Sequence, residues 1–245
     1  MTRRPPANPR RRLITASVLA FLAGAWTGAA RAQAYPVRPI KLVVAFGTGS
    51  VNDTIARDLA QQMAETLGQP IVVENRTGAG GAVGTAAVAK APPDGCTIGL
   101  GTSSQLVMNV GLYKSLPFDV DRDLRSIGLV ARTPLVLAAS TAMPPALKDM
   151  IAMARAKPGQ LSYGSGGAGS ISHIAAEAFA HAAGASLLHV PYKGSAAAIV
   201  DLTGGQVSLA FDSLLSALPL ATHGRLHLLA VGGRQRSPLA PATPT

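Results

Sequence analysis

Apolar positions follow two alternating rhythms along this chain. Short runs such as Ile40, Leu42, Val43 and Val44, within residues 39–46, are apolar almost without a break. That is the pattern of a parallel strand covered on both faces. Longer stretches space their apolar residues three and four apart: Ile55, Leu59, Met63 and Leu67 predict a helix that Gly68 stops and that Asn52 or Asp53 can cap. Residues 70–74 predict a second strand, and Gly78, Gly80, Gly81 and Gly84 open an alanine-rich helix to Lys90. Pro92-Pro93-Asp94-Gly95 is a turn by its residue types, followed by a strand over 97–101 that ends in Thr102, Ser103 and Ser104. After a loop at 117–123, residues 127–139 predict a strand pair or one long bent strand. The pattern then gives a helix over 147–156, a strand into Tyr163, a Gly/Ser loop over 164–170, a helix over 171–183 and a strand over 187–190. Beyond Pro191-Tyr192-Lys193-Gly194 follow a helix through Ile199 and Leu202, a strand over 207–211, a helix over 214–221 and a strand over 226–231. Such alternation defines the α/β class.

Residues 43–75 and 161–191 share one plan: strand, Gly/Ser loop, helix, glycine stop, strand. One unit falls in each half, predicting two domains, 35–138 and 139–231, each with a parallel-rich sheet. Ligands in such sheets sit outside the carboxyl ends of the strands, so two facing edges make a cleft. Gly/Ser loops that open helices offer backbone amides and a positive dipole end to anions, although the same residues also make plain turns. The candidate ligand contacts are Phe46, Gly49, Ser50, Asn52, Asp53, Ser103 and Ser104 from the first half, and Ser165, Gly166, Ser170, His173 and Asp212 from the second. Asp53 would not meet a carboxylate unless protonated; its expected role is to cap its helix or to hold water or a ligand donor.

The chemistry available is that of capture. Gly164-x-Gly166-x-x-Gly169 matches the dinucleotide fingerprint between a strand and a helix, which keeps a nucleotide-dependent α/β enzyme as the alternative. That fingerprint wants an acidic residue at the end of the next strand, and none lies between Glu177 and Asp201. Neither a Walker loop nor a nucleophile elbow occurs; Gly101-Thr102-Ser103-Ser104-Gln105 lacks the final glycine of an elbow. His173, Glu177 and His181 share one helical stripe, but its ends lie about 12 Å apart at 1.5 Å per residue, so one ion meets only two of the three. No metal, cofactor or catalytic residue is assigned. His173 stands apart because it falls in the first helical turn beside the loop, where its ring reaches either a bound anion or the loop backbone.

Charge changes the picture only at the start. The formal net charge is +10, but six of the 22 Lys and Arg precede Tyr35, leaving 16 against 12 acidic residues. With only 4% aromatic residues the chain lacks stacking surfaces for nucleic acid, which is discounted as a partner. Arg3, Arg4, Arg10, Arg11 and Arg12 precede an uncharged run over 13–30 and then Ala32-Gln33-Ala34. That is the build of a cleavable signal peptide covering residues 1–34, favoured over a retained anchor because Thr15, Ser17, Gly24, Thr27 and Gly28 dilute the run. Arg10-Arg11-Arg12-Leu13-Ile14 also allows twin-arginine export. A bacterial periplasm is the expected location, and the single Cys96 reads as a small buried residue beside a strand.

Residues 35–245 carry a family resemblance in their order and spacing. The markers are Tyr35-Pro36, Arg38-Pro39-Ile40, Phe46 with Gly49 and Asp53, Ala56-Arg57, Val73-Glu74-Asn75-Arg76, Gly78-Ala79-Gly80-Gly81, Pro93-Asp94-Gly95 and Leu116-Pro117-Phe118-Asp119. Tyr163-Gly164-Ser165, Gly169-Ser170, His173, Glu177 and His189-Val190-Pro191-Tyr192-Lys193-Gly194 complete them. Together they resemble the substrate-binding proteins of tripartite tricarboxylate transporters, the TctC or Bug (Bordetella uptake gene) family. The resemblance implies a periplasmic-binding-protein-like clamp of two domains, a monomer that closes on a small di- or tricarboxylate or related acid and passes it to a membrane permease. Ala45-Phe46-Gly47-Thr48-Gly49-Ser50 departs from the family's first loop, which usually carries prolines and a Gly-Gly pair, and Gln105 stands where the family often has His. Residues 232–245 look like the start of a segment returning to the first domain, whose C-terminal part is expected to be missing. If the leader is read correctly, mass spectrometry of protein recovered from the periplasm finds Tyr35 at the amino terminus; an intact Met1 in the cytoplasm refutes it.

Overall fold

Two sheets organise the computed structural model, which describes residues 35–245; the signal-peptide reading of residues 1–34 lies outside the described residues. Among those described, no helix is long and apolar enough to cross a membrane. The first sheet has the order β2-β1-β3 and is wholly parallel. Its centre is β1 (Ile40–Val44), flanked by β2 (Ile71–Asn75) and β3 (Thr97–Leu100). Every residue of β1 except Lys41 is buried, as its near-continuous apolar run requires. Helix α1 (Val51–Leu67) lays Ala56 and Ala60 on Leu42 and Val44, small residues that let helix and sheet approach closely. Its N-cap is Ser50, whose hydroxyl accepts from the Asp53 N–H, so neither Asn52 nor Asp53 caps this helix; left-handed Gly68 ends it. A 3₁₀ turn (Ala79–Gly81) then leads into α2 (Ala82–Ala89).

The stretch after β3 differs from the sequence reading. A π-helical turn (Ser104–Met108) runs into α3 (Asn109–Leu112), and α4 (Val120–Asp123) is capped by Asp119. Periodicity did not announce the first of these because Val107, Val110 and Leu112 face solvent while Ser104, Gln105 and Asn109 are buried. The strand expected over 127–139 is confined to β4 (Leu135–Ser140). Upstream of it residues 127–134 form no regular element, and Ile127 and Leu129 are 85% and 71% exposed. Strand geometry begins at Leu135 because that is where β7 and β8 supply ladder partners.

The second sheet has the order β6-β5-β7-β4-β8, built from β5 (Ser162–Ser165), β6 (Leu188–Pro191), β7 (Leu209–Ser213) and β8 (Leu226–Val231) around β4. Strand β4 is antiparallel to both neighbours, and the other four run in one direction. Helices α5 (Leu147–Ala156) and α6 (Ile171–Ala183) cover one face, where Met150, Ala154 and Ala176 meet Leu137, Tyr163 and Leu209. Helix α7 (Ser195–Thr203) covers the other through Ile199 and Leu202 against Ala138 and Ala210. Helix α8 (Leu214–Thr222) packs with Val136, Val231 and Ala240, and the Val231 N–H donates to the Pro244 carbonyl at 2.7 Å. Cys96 is buried, a small apolar residue at the entry to β3.

The two sheets rest on unequal cores. Three buried clusters hold the second sheet, whereas one cluster of Leu42, Val44, Ala56 and Ala60 holds the first, and Val72 on its edge strand is 55% exposed. Local opening follows buried contact, so hydrogen exchange at the amides of β2 is expected to run about tenfold or more faster than at those of β5. Equal protection in both would show one uniformly cooperative unit.

Candidate functional site

The first candidate loop leaves β1 at Phe46, and its shape is fixed by one buried carboxylate. Asp53 accepts from the Gly49 N–H at 3.0 Å, from Asn75 Nδ2 at 3.0 Å and from Arg57 on both oxygens. Burial alone would raise its pKa, but the hydrogen bonds from Arg57, Gly49 and Asn75 outweigh that and hold it below the ordinary value of 3.8. The Asn75 amide also donates to the Phe46 carbonyl at 2.9 Å, so β2 and α1 grip the same loop. Asp53 is therefore a strut behind the loop, and a buried Ser50 closes the helix end beside it. Asn52 lies half-buried in the first turn of α1. Asn75 is the residue here that hydrophobic patterning passed over; it appears in the sequence only within the marker Val73-Glu74-Asn75-Arg76.

The second candidate loop, between β5 and α6, turns its polar groups on itself. The Gly166 N–H donates to Ser172 Oγ at 2.9 Å, the Gly167 N–H to Ser165 Oγ at 3.1 Å and the Gly169 N–H to His173 Nδ1 at 3.3 Å. The Ser170 hydroxyl caps α6 by accepting from the His173 N–H. Ser165 and Ser170 are both buried. Ser165 Oγ also pairs with His189 Nε2 at 2.6 Å, and the His189 ring stacks on His173 with centroids 4.2 Å apart and on Tyr163 at 4.8 Å. Burial, reinforced by His173 and opposed by Glu177, lowers the His189 pKa and so favours the neutral imidazole. The Tyr163 hydroxyl donates to Glu177, and burial with that bond raises the phenol above its ordinary value. Among the described residues no group of three or more metal-ligating side chains converges.

The loops of the two sheets meet at two seams. At one, Ser104 Oγ accepts from the Ile171 N–H at 2.9 Å, the first amide of α6. Around it Asn109 Nδ2 donates to the Gly80 carbonyl at 3.2 Å and the Tyr113 hydroxyl to the Ala168 carbonyl at 3.4 Å. A methyl group on Gly80 would lie 2.8 Å from the Ala168 oxygen, so only glycine fits this approach, and its φ of +57° favours glycine as well. At the other seam, a methyl group on Gly194 would lie 3.0 Å from the Gly47 nitrogen, at a φ of +145°. Of the candidates, Ser104 and the Ser170–His173 turn are thus brought together, while Ser103 is exposed beside them. Gln105 and Asn109 are fully buried at the first seam; Gln105 Oε1 accepts from the Thr102 N–H at 2.9 Å, but Gln105 Nε2 and Asn109 Oδ1 find no protein partner. Asp212 is buried at the carboxyl end of β7 beside the hydroxyls of Ser195 and Ser216 and the Ser213 N–H, and burial raises its pKa.

Against known proteins, residues 55–245 match the sequence profile of the tripartite tricarboxylate transporter family receptor. BugT of Bordetella pertussis is 39% identical over 216 residues, which cover 87% of this chain and 66% of BugT, so the chain spans about two thirds of that relative. Among solved structures, the periplasmic binding protein BugD superposes with a TM-score of 0.83 at 36% identity, over 86% of this chain and 71% of that one. An R. palustris protein with adipate gives 0.82 at 35%, over 86% and 71%, and MatC of Rhodopseudomonas palustris with bound malate gives 0.82 at 32%, over 86% and 72%.

The strut role of Asp53 has a pH signature. Its folded pKa lies below the unfolded one, so its contribution is complete above about pH 4 and is lost as pH falls through the folded value. Asp53→Ala is expected to cost about 1.5 to 3 kcal/mol at pH 7, the range for hydrogen bonds to a charged group, with the difference from the parent narrowing in acid. Urea unfolding at pH 7 and pH 3 measures both, and an equal loss at the two would refute the charged strut.

Proposed function

The chain belongs to the tripartite tricarboxylate transporter receptor family, and from that premise we propose that it is a periplasmic solute-binding protein that captures a small organic carboxylate for a membrane permease. The observation that carries this reading is the meeting of Gly/Ser loops from the carboxyl ends of both sheets across two seams, Ser104 with Ile171 and Gly47 with Gly194. That arrangement supports a clamp of two domains, about 35–138 and 139–231, closing over a polar gap lined by Phe46, Gly49 and Ser50 on one side and Ser165, Gly166 and His173 on the other. The adipate and malate seen in two relatives support a small dicarboxylate as the ligand class. Arg57 and Arg76 are already paired with Asp53 and Glu74, so the donors offered to the acid are hydroxyls, amides and water.

Capture without turnover is the expected behaviour. A thermal-shift screen of the mature chain against adipate, malate, citrate and NAD(P) should raise the melting temperature with one of the acids and with neither dinucleotide. Stabilisation by NAD(P) with turnover would favour the Gly164-Gly166-Gly169 enzyme reading. On this reading the seam bond helps to hold the clamp closed, and a hydrogen bond nets about 0.5 to 1.5 kcal/mol. Ser104→Ala should therefore weaken the acid that binds by about 2- to 10-fold in calorimetry, with little change in unfolding midpoint of the free protein. Unchanged affinity would place closure elsewhere.

A further inference from the structure

Asp212 is a charged-type side chain only 5% exposed, and its Oδ2 makes no hydrogen bond. Leaving a buried acceptor unpaired is costly, and a native site that keeps one has a use for it. Its position suggests the use. It stands next to last on β7, at the strand end where ligands of parallel sheets sit. Across from it is Ser195, the first residue of α7, whose backbone nitrogen lies 3.4 Å from where a methyl group on Gly166 would be, in the ligand loop itself. Three donors, the Ser213 N–H and the Ser195 and Ser216 hydroxyls, already favour the ionised carboxylate. An anionic ligand cannot rest against that carboxylate unless a proton lies between them.

We propose that the open oxygen of Asp212 receives a hydrogen-bond donor carried by the ligand, so that this site selects carboxylates bearing a hydroxyl or ammonium group over the plain diacid. The inference rests on the carboxylate-capture reading and narrows it to a class. Burial that pushes the Asp212 carboxyl up makes the missing partner matter more, since an unpaired charge there is destabilised. A site built to pair with a donor rejects the analogue lacking it, because the buried acceptor is then left bare.

The test is a matched series of four-carbon diacids differing in one substituent: succinate, malate and aspartate, titrated by calorimetry into the mature chain at pH 7.5. Malate or aspartate should bind about tenfold or more tighter than succinate. In Asp212→Asn, which removes the buried charge and whose fold is verified by thermal unfolding, that preference should collapse to about twofold or less. Succinate binding as tightly as the other two overturns the inference while leaving carboxylate capture standing. So does a preference that survives in Asp212→Asn, or succinate affinity that rises as pH falls, which would mean that Asp212 carries the proton itself. Binding of none of the three, nor of adipate or citrate, overturns the capture reading and the inference with it.

Discussion

Backbone meeting backbone is the constraint on which the arrangement of this molecule depends. Gly80 against Ala168 and Gly194 against Gly47 bring loops from the two sheets closer than any side chain allows. Once the main chains are that near, their amides and carbonyls must find partners across the gap, because a buried unpaired peptide group is expensive. Ser104 and Tyr113 supply them, and Asn109 holds the Gly80 carbonyl on the near side. Ser104 opens a π turn, Asn109 begins the short helix that follows it and Tyr113 closes that helix; in this segment Ser104, Gln105 and Asn109 face inward while Val107, Val110 and Leu112 face out. The polar side of this inverted segment is held by a distant part of the same chain, through Ser104 to Ile171 and Tyr113 to Ala168.

The sequence was most legible where burial enforces a period. Helices over 147–156 and 171–183 and the strand over 226–231 stand where apolar spacing puts them, since each lays a full stripe or face on the second sheet's core. The π turn was not legible, because its first residue, Ser104, is engaged by the Ile171 N–H, 67 residues away. Residues 127–134 misled for the opposite reason. Their apolar composition has strand character, but among the described residues no ladder partner takes it up. For the site, residue types identified the polar loops and missed their wiring: Ser50 rather than Asp53 caps α1, and Ser172, His189 and Asn75 hold the loop geometry without any local signal. These are roles assigned by contacts across strands, and one-dimensional patterns carry little information about them.

The unequal cores bear on motion as well as stability. The second sheet is a thick platform with helices on both faces, and the first is three strands with small alanines in its main contact. If the two sheets form the proposed clamp, the first, with the smaller buried core, is the jaw that adjusts. The firm side then sets the reference geometry, and it is the side that holds the histidine stack and Asp212.

The internal wiring of the 164–170 loop has a thermodynamic consequence. Its amides at Gly166, Gly167 and Gly169 are already solvated by Ser172, Ser165 and His173, so an incoming anion that claims one must displace a resident acceptor. Anion binding there would be an exchange of partners rather than a gain of new ones. Net enthalpy per contact would be small under those terms, and a generic small anion would gain little by entering. A guest of that loop would be told apart by how many exchanges it completes at once, which would tie selection at this point of the fold to size and shape.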